Sequence, residues 1–128
     1  MDSYKKILVP YDGSEHSERA LEHAIRIAAS MGAEITVLHV LHPPNLGWES
    51  EDKDMLGEAQ KKAEEAGVKA NSKRVGGNPR EEISKEAEEG YDIIVMGSRG
   101  IGGLKHILLG SVAEYVVRQS KHPVLIVR

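Results

Sequence analysis

Apolar residues in this chain follow two patterns, short aliphatic runs and longer stretches with an apolar position every three or four residues. The first run is Ile7-Leu8-Val9, bounded by Lys5-Lys6 and by Tyr11-Asp12-Gly13-Ser14. It is too short for a helix and predicts a buried strand. Ala20, Leu21, Ala24, Ile25, Ala28 and Met31 then recur as a single helical stripe, and Gly32 stands where a helix would stop. Ile35 to Leu41 reads as a second buried strand, ended by His42-Pro43-Pro44-Asn45 because proline cannot donate to a ladder. A short irregular loop through Trp48 follows. Glu51 to Glu65 is helical in period but heavily charged, with Met55, Leu56, Ala59 and Ala63 as a narrow apolar face and Gly67 after its end.

Val68 to Val75 alternates weakly, which suits an edge strand better than a central one. Gly76-Gly77-Asn78-Pro79 turns into a third helix with Pro79 at its first position and Ile83 and Ala87 inward. Ile93 to Met96 is the next buried strand and runs directly into Gly97-Ser98-Arg99-Gly100. Val112, Ala113, Val116 and Val117 mark a fourth helix, and Val124 to Val127 a fifth strand. Strands alternating with helices predict an α/β, Rossmann-like three-layer sandwich. Right-handed crossovers confine it to a five-stranded parallel sheet ordered 3-2-1-4-5 with about four helices. No linker or repeat interrupts the pattern, so residues 1–128 are expected to form a single domain.

Charge and composition narrow the function. A formal net charge of -3 argues against direct nucleic-acid binding, which relies on excess Lys and Arg. With no cysteine, a disulfide framework, a thiolate metal site and a cysteine nucleophile are excluded. No signal or membrane segment is legible, so a soluble, cytoplasmic protein is expected.

In a sheet of this order, ligands sit beyond the carboxyl ends of the strands where the chain direction reverses, between strands one and four. Those ends carry Pro10-Tyr11-Asp12 and Gly97 to Gly100. Gly97, Gly100 and Gly110 frame a loop entered from a strand and left through a helix opening at Ser111, so main-chain N–H groups can converge on an anion. Arg99, Lys105 and His106 would add cationic donors, and Gly102-Gly103 would loosen the segment. An equally weighted alternative is purely structural. Ser111 and Glu114 have capping-box spacing, and Gly97 would serve as a tight turn. His39 and His42 point to opposite faces of a strand and lack a third ligand, so no metal site is read there. His16, His23 and His122 read as surface or helix-packing residues. The GxxxxGK[ST] and GxGxxG signatures are absent, and no catalytic group is legible.

The spacing Gly97-x-x-Gly100, nine residues, then Gly110-Ser111 resembles the ATP-binding branch of the universal stress protein family. So do Lys6 to Ser14, Leu38-His39-Val40, Leu108 to Glu114 and Pro123 to Val127. The resemblance implies that Pro10, Tyr11, Asp12 and Val40 line the adenosine end. It also implies that Met96, Gly97 and Gly100 border the ribose and first phosphate, and that Arg99, Gly110, Ser111 and Val112 complete the phosphate cradle. His42 to Asp54 is shorter than in several nucleotide-binding relatives. A helix N-terminus supplies only about half a positive charge, so Mg²⁺ or Mn²⁺ is expected to enter on the ATP phosphates. The expected function is a stress-response or regulatory protein in which the nucleotide orders the 97–111 loop and alters a partner-facing surface. A slow ATP hydrolase on the same scaffold and a module that binds no nucleotide are the alternatives. The uncharged edge run 124–127 invites pairing with a second copy, and the resemblance agrees in implying a homodimer through that strand.

Overall fold

The computed structural model describes residues 3–41, 49–100 and 109–128, with the backbone alone at 49–53. The chain alternates as expected: β1 (Lys6–Pro10), α1 (Glu15–Met31), β2 (Glu34–Leu41), α2 (Glu49–Glu65), β3 (Ala70–Gly76), α3 (Pro79–Ala87), β4 (Ile93–Gly97), α4 (Ser111–Gln119) and β5 (Val124–Val127). All five strands are parallel, in the order β3-β2-β1-β4-β5. The expected α/β fold and strand order are therefore those of the structure.

Alternate residues of each strand point to opposite faces, so the sheet carries two cores. Ile7, Val9, Ile35, Val37, Ile93 and Val95 pack with Leu21, Ile25, Leu56 and Ala63 from α1 and α2. Leu8, Leu38, Ile94 and Met96 pack with Ile83, Ala87, Ala113 and Val116 from α3 and α4. Right-handed crossovers require this placing of the first two helices on one face and the last two on the other.

Local signals set the helix ends. Ser14 caps α1 by accepting from the Ser17 N–H, and Gly32 ends it in the left-handed conformation at φ 72°. Pro79 occupies the first turn of α3. Several details depart from the sequence reading. α2 begins at Glu49 rather than about Glu51, and β3 spans Ala70–Gly76 rather than 68–75. Met31 and Val117 are each 43% exposed and lie outside the apolar faces assigned to them. No capping box forms at Ser111, because Gly110 is the N-cap of α4 and Ser111 its first helical residue. His42, Trp48, Gly102, Gly103, Lys105 and His106 lie outside the described residues.

Candidate functional site

The carboxyl ends of β1 and β4 lie side by side, and from there the chain departs toward opposite edges of the sheet. Two loops meet at this reversal, the one after Pro10 and the one after Gly97. Each is closed by main-chain hydrogen bonds. The Tyr11 N–H donates to the Leu38 carbonyl at 2.8 Å, extending the β1–β2 ladder by a residue. The Ser98 N–H donates to the Val127 carbonyl at 2.8 Å, and the Ser98 carbonyl accepts from the Gly110 N–H at 2.6 Å. Gly110 is thereby drawn against Ser98 and Arg99, and α4 opens beside them.

The expected site residues divide by what the structure does with them. Val40, Met96 and Val112 belong to a single apolar cluster on the α3/α4 face, with Leu109 beside them. Val40 pairs in register with Val75 of β3. This group forms an apolar floor next to the strand ends. Pro10 ends β1 and is buried. Tyr11 is brought to the strand end only through its main chain. Its ring packs in the α1/α2 core, its hydroxyl donates to Glu18, and its carbonyl accepts from His39 Nδ1 at 2.9 Å. Since a carbonyl only accepts, His39 carries its proton on Nδ1.

Asp12 spans the two loops. Its Oδ1 accepts the Ser14 N–H at 3.0 Å, while its Oδ2 lies 2.7 Å from where a Cβ on Gly100 would stand. A side chain at Gly100 would therefore displace the carboxylate. At Gly97 a Cβ would meet His16 Cβ at 2.7 Å and the His16 carbonyl carbon at 2.8 Å. At Gly110 it would stand 3.2 Å from the Ser98 carbonyl oxygen and 3.4 Å from Arg99 Cα. The three glycines thus let α1, the Asp12 loop and the α4 entrance close on one another. The Gly110 N–H is spent on that closure and is not one of the anion donors expected of it. Those that fit the role are the Ser111, Val112 and Ala113 N–H groups, which have no acceptor within their own helix.

Arg99 is next to this opening, and the structure supplies a neighbour that the sequence reads only as a surface or helix-packing residue. His16, in the first turn of α1, lies 2.8 Å from an Arg99 guanidinium nitrogen through Nε2 and 3.3 Å from Ser98 Oγ through Nδ1. Burial first, then the Arg99 and Arg19 guanidiniums, hold the imidazole below its ordinary pKa, so it is neutral at pH 7. Ser98 is 1% exposed, so its hydroxyl is a structural group rather than an accessible nucleophile. The signal that would have found His16 was present. A helix following β1 directs its first turn at the switch point, and His16 stands two residues after the Ser14 cap.

A separate groove of about 560 Å³ lies between α3 and the β3 edge, lined in part by Lys6, Thr36, Lys73, Glu86 and Tyr91. Two of its groups converge on one carboxylate: Lys73 Nζ and the Tyr91 hydroxyl donate to Glu86 at 2.8 and 2.7 Å. Burial first, with Glu86 opposing ionisation, pushes the Tyr91 phenol up to about 12. This groove is a structural polar network, remote from the strand-end loops. Among the described residues, no three His, Asp or Glu side chains gather as a metal site.

What the strand-end site can do follows from its parts. It offers an apolar floor, a carboxylate, a guanidinium and a helix N-terminus at the same end of the sheet, which suits a ligand with an apolar face, hydroxyls and an anionic tail. The model of the family described as "Universal stress protein family" matches residues 3–128. Universal stress protein MJ0531 of Methanocaldococcus jannaschii is 41% identical over 140 residues, covering 98% of this chain and 82% of that protein. The solved structure of MJ0577 from the same organism superposes with a TM-score of 0.90 at 40% identity, covering 98% of this chain and 96% of that one. A universal stress protein solved in complex with cAMP superposes with a TM-score of 0.83 at 32% identity, covering 99% and 98%.

Proposed function

The chain belongs to the universal stress protein family, and from that premise we propose that it is an ATP-binding regulatory protein of the stress response. Residues 1–128 act in this reading as one nucleotide-binding domain. The observation that carries it is the convergence at the β1/β4 reversal of Asp12, Arg99 and the α4 N-terminus beside the Val40–Met96–Val112 floor. That a relative of the same fold is solved with cAMP supports an adenine nucleotide as the ligand class.

Pro10, Val40, Met96 and the Tyr11 main chain flank the base and ribose in this reading. Asp12 accepts hydrogen bonds from hydroxyl or amino groups, a role that suits a carboxylate and would be repulsive toward phosphate. Gly97 and Gly100 border the ribose and first phosphate. Arg99 and the main-chain N–H groups of Ser111 and Val112 take the phosphates, while Gly110 closes the chain against Ser98 beside them. The helix N-terminus is worth about half a charge against the roughly four of ATP, so Mg²⁺ or Mn²⁺ accompanies the nucleotide, held mainly by its phosphates. When bound, the cation supplies charge neutralisation. The nucleotide then holds the 97–111 segment against the Asp12 loop, and the surface so completed is what a protein partner reads.

Calorimetric titration with ATP tests the reading, with and without EDTA. Expected are saturable binding by the wild type, weaker binding in EDTA, and a loss of about tenfold or more in Gly100→Val, whose side chain displaces Asp12. A wild type that binds no ATP, or a Gly100→Val variant that binds it unchanged, refutes the assignment.

A further inference from the structure

We propose that His16 is the positioning residue for Arg99, holding the guanidinium at the entrance of the phosphate cradle before the nucleotide arrives. The inference rests on the nucleotide-binding reading above and adds to it a residue on a different element. Its basis is geometric. His16 Nε2 stands 2.8 Å from Arg99 Nη2, well within hydrogen-bond range. A guanidinium only donates, so Nε2 accepts and the imidazole proton sits on Nδ1, directed at Ser98 Oγ 3.3 Å away. Arg19 Nη2 also approaches Nδ1 at 3.3 Å, but with a proton on that nitrogen the contact is not a hydrogen bond, and Arg19 donates through Nε to the Arg128 carbonyl at 2.8 Å.

The imidazole is itself well fixed. Ser98 is held at both main-chain groups, by Val127 and by Gly110. The absence of a side chain at Gly97 lets the His16 backbone sit directly on β4. Charged groups on every side bear on the contact: Glu15 and Arg19 from α1, Asp12 from the loop after β1, and Arg99 from the loop after β4. Glu15 and Asp12 favour the imidazolium, but burial and the two guanidiniums outweigh them and leave a neutral acceptor.

The consequence is energetic. An arginine side chain carries much rotamer entropy, and ordering it only at binding subtracts from affinity. A neutral imidazole fixes the guanidinium without itself neutralising it, as a carboxylate would. His16 acts on the anionic tail of the ligand alone and should leave recognition of adenosine untouched.

The test is a double-mutant cycle by calorimetry with ATP and, separately, adenosine, using wild type, His16→Leu, Arg99→Met and the pair. His16→Leu should weaken ATP binding by about threefold to tenfold, the cost of immobilising one long side chain. It should leave adenosine unchanged and have no further effect in the Arg99→Met background. His16→Gln, which keeps an acceptor, should restore most of the loss, and it carries the test if His16→Leu fails to fold. In the free protein, Arg99→Met should raise the NMR titration midpoint of His16. An equal loss in both Arg99 backgrounds, an equal loss for adenosine, or no loss at all overturns the positioning role while leaving nucleotide binding standing. A wild type that binds neither ligand refutes the functional reading instead, and this inference with it.

Discussion

At Gly97 and Gly100 glycine is required for room rather than for conformation, since neither adopts a positive φ. The atoms that a side chain would meet differ in kind. At Gly97 they include the His16 carbonyl carbon at 2.8 Å and oxygen at 3.0 Å, part of the α1 backbone, which can move only with its helix. At Gly100 the neighbour is Asp12 Oδ2, the end of a side chain that can rotate aside. Gly97→Ala should therefore destabilise the fold by about 1–3 kcal/mol, as overpacking does, whereas Gly100→Ala should cost clearly less. Urea denaturation checks this through the transition midpoints of the two variants at unchanged slope. Equal midpoints would mean that α1 does not bear on β4 as the structure has it.

Asp92 shows how elements far apart in sequence are registered. Its carboxylate accepts the Lys5 and Lys6 N–H groups at 2.8 and 2.9 Å, fastening the start of β4 to the start of β1. Those two backbone bonds lower its pKa below 3.8. A carboxyl whose pKa is depressed by folding contributes stability above its unfolded value and loses it as pH falls through the folded one. Asp92→Asn should cost about 1–2 kcal/mol at neutral pH, and its deficit should shrink as pH drops below about 4. Denaturant midpoints across that range decide it, and a deficit independent of pH would deny the charged role. Elements of this kind were largely legible beforehand, because strand and helix periods and the Gly32 and Pro79 signals act within a few residues. The α4 cap was not. Ser111 and Glu114 have the right spacing, but the Gly110 N–H to Ser98 carbonyl bond places the cap one residue earlier, and no local pattern encodes a closure across twelve positions. For His16 the place in the first turn of α1 was legible, but its partners Ser98 and Arg99, more than eighty residues away, were not.

At the scale of the molecule, the two edges of the sheet are built differently. β3 presents Asn71, Ser72 and Lys73 as exposed polar residues, with Arg74 beside them, which guards an edge against pairing. β5 presents Leu125, 37% exposed, in a run without charge, and Val117 of the adjoining α4 is exposed as well. The Pro123 and Val127 carbonyls accept from Ile94 and Ser98, so main-chain groups of the alternate residues Val124 and Ile126 point away from β4. A row of outward donors and acceptors flanked by aliphatic side chains fits a second copy of itself. We therefore expect a homodimer joined through β5. In a two-fold pairing the same short strand faces itself, which brings a charge at position 125 close to its own copy and destabilises the pair. Leu125→Lys should then shift the protein to monomer in sedimentation equilibrium while hardly changing the urea midpoint of the separated chain, because the residue is already exposed. A wild type that sediments as monomer at about micromolar concentration, or a dimer indifferent to the lysine, would remove β5 as the joining edge.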